Sequence, residues 1–202
     1  GCWTSFALEP SPRALAAYRE ALRLRETFSA WSNSGLVWWL KAQRSSSIGL
    51  DPGPELTEAS RCYAEAARLN PNHGHVHSNR GLVLLARAAA DETAGRDPTS
   101  ALTAAVAALE AALRLDPGLA EAHNNLGNAH KALAAALAER GGDPGPSLDR
   151  AEAEYRLAIA ANPELAFTYS NLADCELERA RARLARGFDP RPELARTRAT
   201  LA

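Results

Sequence analysis

The sequence predicts an all-α solenoid of antiparallel helix hairpins, and three observations point there. Residues recur at a fixed spacing of 46: Asn33, Asn79, Asn125 and Asn171; Asp51-Pro52, Asp97-Pro98, Asp143-Pro144 and Asp189-Pro190; Leu56, Leu102, Leu148 and Leu194. The stretches between these marks are rich in Ala, Leu and Arg, which favour helix. Each stretch stops at glycine or proline, residues that end helices by a left-handed cap or a missing N–H. A fixed period in this range marks units that bury their apolar faces only against neighbours. The search for function therefore moves from a pocket to an extended surface.

The third full unit shows the elements in order. After Asp116-Pro117 a first helix is predicted from about Leu119 to Arg140, closed by Gly141-Gly142 at the C-cap. Asp143-Pro144-Gly145-Pro146-Ser147 follows as a turn whose second proline suits the first position of a new helix. The second helix is predicted from about Ser147 to Ala161, stopping before Pro163. Applied to the whole chain, this grammar gives one domain over 1–202. It comprises a leading half-unit 1–25, full units 26–71, 72–117 and 118–163, and a trailing partial unit 164–202. The absence of Met and the part-way start and stop predict a segment of a longer protein.

Within the units a second pattern recurs. Trp31, Gly35 and Trp38 precede Ala59, Tyr63 and Pro71; Gly81 and Leu84 precede Ala105, Leu109 and Pro117. Leu126 and Gly127 precede Ala151, Tyr155 and Pro163, and Tyr169, Leu172 and Ala173 open the last unit. These residues resemble the tetratricopeptide repeat, W-x2-L-G-x2-Y, then A-x3-F, then P. Tyr18, Ala21 and Leu22 look like a leading second helix, after Glu9-Pro10-Ser11-Pro12. The resemblance implies a right-handed superhelix. Small residues such as Gly127 and Ala158 are expected to let helices approach, with Tyr63 or Tyr155 filling the gap between successive hairpins.

The family's unit has about 34 residues, so the surplus here lies around the hairpin tip. Some six extra residues per helix would lengthen each hairpin by roughly 9 Å. Leu56, Leu102, Leu148 and Leu194 fall in that extra part. They are expected to seal it against Ala88, Ala134 or Leu137, and Ala180 or Leu184, leaving only the Asp-Pro turn loose. Lengthened arrays of this kind are similar to those of large bacterial multidomain proteins such as serine/threonine kinases. That likeness implies a segment that selects partners for an attached catalytic domain.

Composition narrows the function classes. The 202 residues are 46% hydrophobic and 23% charged, with formal net charge -1. That near-neutral balance gives no pull toward nucleic acid or an anionic membrane. No apolar run approaches the roughly 18 residues that span a bilayer. Cys2, Cys62 and Cys175 are odd in number and widely spaced, so a reducing compartment, the cytoplasm, is expected without disulfides or a zinc site. His73 and His77 sit one turn apart but lack a fixed acidic or thiol partner. His77 and His123 stand where the repeat takes an aromatic ring, so packing is expected, and no metal or cofactor. The run Arg179, Arg181, Arg183, Arg186 with Glu176 and Glu178 reads as a solvated helix face. No nucleophile–base pair, phosphate loop or paired-carboxylate pattern occurs, so catalysis is not expected.

In tetratricopeptide arrays the first helices line a concave groove that binds extended peptides or partner helices. Carried across by position, the groove residues are Asn33, Leu36 and Trp39 in the first unit and His75, Ser78, Asn79 and Leu82 in the second. Asn124, Asn125, Asn128 and Lys131 follow in the third, and Phe167 and Asn171 in the fourth. An Asn carboxamide both donates and accepts, so the ladder of asparagines either clamps the backbone of a bound chain or bonds locally. Trp39 is either a binding anchor or a cover for the end of the array. Ser32, Glu121 and Asn125 stand where a carboxylate clamp needs Lys or Arg, which argues against that mode. The expected function is a non-catalytic protein–protein interaction scaffold with a protein or peptide partner. The alternative is self-assembly, with the open ends at Gly1 and Ala202 stacking into dimers or filaments.

Overall fold

A computed structural model describes residues 12–200, and helix is the only regular secondary structure among them. Gly1, Cys2, Glu9-Pro10-Ser11 and Ala202 lie outside the described residues. The helices are α1 (Pro12–Leu24), α2 (Phe28–Ser47), α3 (Gly53–Leu69), α4 (Gly74–Thr93) and α5 (Thr99–Leu115). They continue with α6 (Ala120–Glu139), α7 (Gly145–Ala161), α8 (Ala166–Ala185) and α9 (Arg191–Thr200). First helices α2, α4, α6 and α8 have 20 residues each, and second helices α3, α5 and α7 have 17. Each helix packs on the next in sequence, and α6 also touches α4 and α8. The first helices thus form the inner layer of an all-α, right-handed superhelical solenoid.

The hairpin tips explain the regular length. Gly49, Gly95, Gly141 and Gly187 adopt φ of 76°, 69°, 75° and 78°, a left-handed conformation that glycine takes without steric cost. The next residue then turns its N–H back onto the helix: Leu50 to Ser45 O at 2.9 Å, Gly142 to Leu137 O at 2.9 Å. This closes the last helical carbonyls. The Asp-Pro turn, expected to be loose, is pinned instead. Oδ1 of Asp51, Asp97, Asp143 and Asp189 accepts the N–H two residues on, at 2.9–3.0 Å. Hydrogen bonds from Thr99, joined by Arg140, hold the Asp97 carboxyl down at about 2. The same Asp143 bond starts α7 at Gly145, two residues before its predicted start, and puts Pro146 in the first turn where its missing N–H costs nothing.

Side-chain packing sets the spacing of the layers. A β-carbon on Gly81 would lie 2.5 Å from Leu109 Cγ, and one on Gly127 would lie 2.6 Å from Tyr155 Cε1. Tyr155 therefore fills the space inside its own hairpin, and it also joins Leu172 and Cys175 of α8 in one core cluster. Leu56, Leu102 and Leu148 are buried, as are Ala88, Ala134 and Ala180. Leu137 and Leu184, considered as alternative partners, are exposed. Leu194 is 45% exposed, since among the described residues no helix follows α9 to cover it.

Leu148→Ala should lower the unfolding free energy by about 2–5 kcal/mol, the range for truncating a buried leucine. Leu194→Ala should cost clearly less. Urea unfolding followed by circular dichroism measures both, and equal losses would contradict the packing described.

Candidate functional site

The residues assigned to the groove all lie on the inner-layer helices, but they differ in what they can offer a ligand. Asn33, Leu36, His75, Asn79 and Phe167 are exposed; Trp39, Ser78, Leu82, Asn125, Asn128, Lys131 and Asn171 are half-buried. Asn124 is buried. Its Oδ1 accepts from Asn171 Nδ2 at 2.9 Å, and its Nδ2 donates to Asn125 Oδ1 at 3.4 Å. Three of the expected groove amides thus form a chain that ties α6 to α8. Asn128 Oδ1 accepts the Tyr155 hydroxyl at 2.8 Å. Lys131 Nζ lies 3.9 Å from Asp174 Oδ2 across the same helix pair.

Trp39 sits in a different place from the amides. It lines the space between the tips of the first two hairpins and packs on the core formed by Ala42, Leu56 and Tyr63. Trp31 and Trp38 pack on that core as well, with Arg61 and Lys41 over their rings.

The three clustered histidines diverge. His73 leans on the Phe28 ring, with centroids 4.8 Å apart, and His77 Nε2 faces Pro71 O at 2.9 Å. His123 repeats the second contact one unit on, with Nε2 facing Pro117 O at 3.1 Å. Its Nδ1 meets Glu154 Oε2 at 2.7 Å. Histidine at this position latches the loop that joins one unit to the next. Among the described residues no group of three or more His, Cys, Asp or Glu is placed to hold a metal ion. Burial pushes the Cys62 thiol up to about 11 and the Cys175 thiol up to about 12, so both stay protonated and unreactive.

The acidic and basic run of α8 is solvated at Arg181 and Arg186 but not at Glu176 and Arg179. Glu176 is 1% exposed. The Arg179 guanidinium lies between Asp149 and Glu152, and Arg156 bridges Glu152 and Glu176. The signal was in the columns: Glu176 follows Trp38, Leu84 and His130 at the 46-residue spacing. A charged network thus joins α7 to α8 beside the apolar contacts of Tyr155, Leu172 and Cys175, and among the described residues the buried Arg179 Nε has no hydrogen-bond partner. Glu178 beside it is pushed up by burial, against the nearby Lys131.

The profile of the TPR repeat matches residues 100–133, covering most of α5 and the first two-thirds of α6. The chain carries a tetratricopeptide repeat. No curated protein matches it in sequence. Solved TPR structures share its fold. A crystal structure of MamA, 15% identical, overlays with a TM-score of 0.60 over 98% of this chain and 94% of that one. MamA residues 41 to the end, from Desulfovibrio magneticus RS-1, are 16% identical with a TM-score of 0.60 over 93% and 84%. This likeness covers both layers of the TPR solenoid. Among the described residues no helix is long and apolar enough to cross a membrane.

His130 gives the array a pH dependence. Burial, with Arg150 adding to it, holds its imidazole below the usual value against the pull of Glu154 and Glu110. Folding thus disfavours the imidazolium, so stability is complete above the unfolded-state value near 6.5 and falls as pH drops toward the folded-state value. The thermal midpoint should fall from about pH 7.5 to about pH 5.5, and should fall less in His130→Leu, as calorimetry would register. An unchanged slope in the variant would remove His130 as the cause.

Proposed function

We propose that the protein is a non-catalytic interaction scaffold that takes an extended or helical segment of a partner along its first helices. One observation carries the reading: apolar and amide side chains stand exposed along the first helices, from α2 to α8. Leu36 is 47% and Phe167 50% exposed, and Asn33, His75 and Asn79 are exposed with them. Side chains of this kind suit apolar anchors flanked by groups that donate and accept along a backbone. Because Asn124, Asn128 and Asn171 already bond within the array, the backbone-holding role falls to Asn33 and Asn79. Units of 46 residues suit a place within a large bacterial multidomain protein, like the arrays joined to serine/threonine kinases, where the scaffold would bring partners to a catalytic domain in the cytoplasm.

Panning a displayed random-peptide library against the purified chain tests this. Enriched peptides should bind Leu36→Asp/Phe167→Asp at least about tenfold more weakly, a difference near 1.4 kcal/mol. The thermal midpoint should hardly move, because both side chains are half in solvent. Equal binding to the variant would overturn the groove.

A second reading, self-assembly, draws on Leu194. Its counterparts Leu56, Leu102 and Leu148 are buried while it is not, so a second copy stacked on α9 would cover it. Light-scattering mass should then rise with concentration and return to the monomer in Leu194→Asp. A constant mass over a tenfold range would exclude stacking.

A further inference from the structure

Two clefts open between neighbouring hairpin tips, and they are the same cleft one unit apart. The first, of about 740 Å3, lies between the α2–α3 tip and the C-terminal half of α4. The second, of about 400 Å3, lies between the α4–α5 tip and the C-terminal half of α6. Their linings correspond position for position at the 46-residue spacing, but their charge does not.

In the second cleft Arg140 Nη2 stands 2.5 Å from Asp97 Oδ1. At the following tip Arg186 Nη1 stands 2.7 Å from Asp143 Oδ2. Each of these tip aspartates takes a guanidinium from the hairpin that comes after it. At the first tip the corresponding residue is Ala94. Among the described residues Asp51 has no ion-pair partner, and its one hydrogen bond comes from the Gly53 N–H. Leu50 likewise stands where the second cleft has Arg96, which is tied to Asp91 at 2.7 Å. Among the described residues Asp51 is therefore the one ionisable group that lines the first cleft; Trp39, Leu50, Pro52 and alanines supply most of the remaining wall.

An apolar trough with a single carboxylate at its mouth, sited where the array elsewhere inserts its own arginine, defines the chemistry of its ligand. We propose that the first inter-tip cleft binds an arginine side chain of a partner protein, with the guanidinium on Asp51 and the aliphatic stem against Trp39 and Leu50. A guanidinium fits a carboxylate through two parallel N–H bonds, stacks on an indole and is weakly hydrated. An ammonium matches none of these as well, and both filled tips use arginine. The site is separate from the groove amides and does not depend on them.

The test is a titration of the 15N-labelled chain with acetyl-arginine-methylamide and, separately, with its neutral citrulline counterpart. Saturable shifts are expected at the Trp39 indole N–H and at the Leu50 and Ala94 amides. Citrulline should bind about tenfold more weakly or worse, since the charge-assisted bond is lost. Ala94→Arg, which supplies the missing guanidinium in cis, should abolish the response. Asp51→Asn should do the same while keeping the turn, because Asn can make the bond to Gly53. Equal responses to both probes, or shifts that persist in Ala94→Arg, would overturn the proposal. Movement of the same resonances on diluting the protein alone would assign the cleft to a second copy and also overturn it.

Discussion

At Gly35, Gly81 and Gly127 a side chain from the second helix of each hairpin, Tyr63, Leu109 or Tyr155, lies within 3.0 Å of where a β-carbon would stand. That contact brings the two helices of a hairpin close enough for alanine-rich faces to exclude water. The rest follows from it. Once the pair is close, Leu56 shares a core with Ala42 and Leu148 with Ala134, each on the first helix of the same hairpin, and the lengthened part is buried. Tyr155 then meets Leu172 and Cys175, and one unit is joined to the next through the same ring. A substitution at these glycines would act on both the hairpin and its neighbour.

On this uniform frame the units differ in how they fill equivalent positions. The column Trp38, Leu84, His130, Glu176 runs from aromatic and apolar to titratable and charged. Around Glu176 an ion network of Asp149, Glu152, Arg156 and Arg179 runs beside the apolar contacts. The indoles of Trp31, Trp38 and Trp39 stand together in the first hairpin, whereas ion pairs occur along the array. Identical backbones thus present different chemistry at each step, which is how a repeat array distinguishes one end of a ligand from the other.

The fold was legible because its signals are local. Glycine and proline punctuation placed α6 within a residue or so at each end, because both signals act within a turn of the residue that carries them. The site was legible only in part. Exposure of Asn33, Leu36 and Asn79 follows from their helix positions, but the use of Asn124 to join Asn171 depends on where α8 lands against α6. The charge run of α8 misled for the same reason: alternation of Arg and Glu looks solvated until a neighbouring helix covers Glu176. The inter-tip clefts arise between units, and no pattern within one unit announces them.

The widest sequence separation bridged by a side-chain hydrogen bond described above is 47 residues, between Asn124 and Asn171. Among the described residues the main helix contacts run within a hairpin or between neighbouring hairpins, so each unit leans on those beside it. Under tension such a chain would yield one hairpin at a time, and on release each hairpin would find its template in the neighbour still folded. Cohesion among the described helices is thus handed along the array from each hairpin to the next.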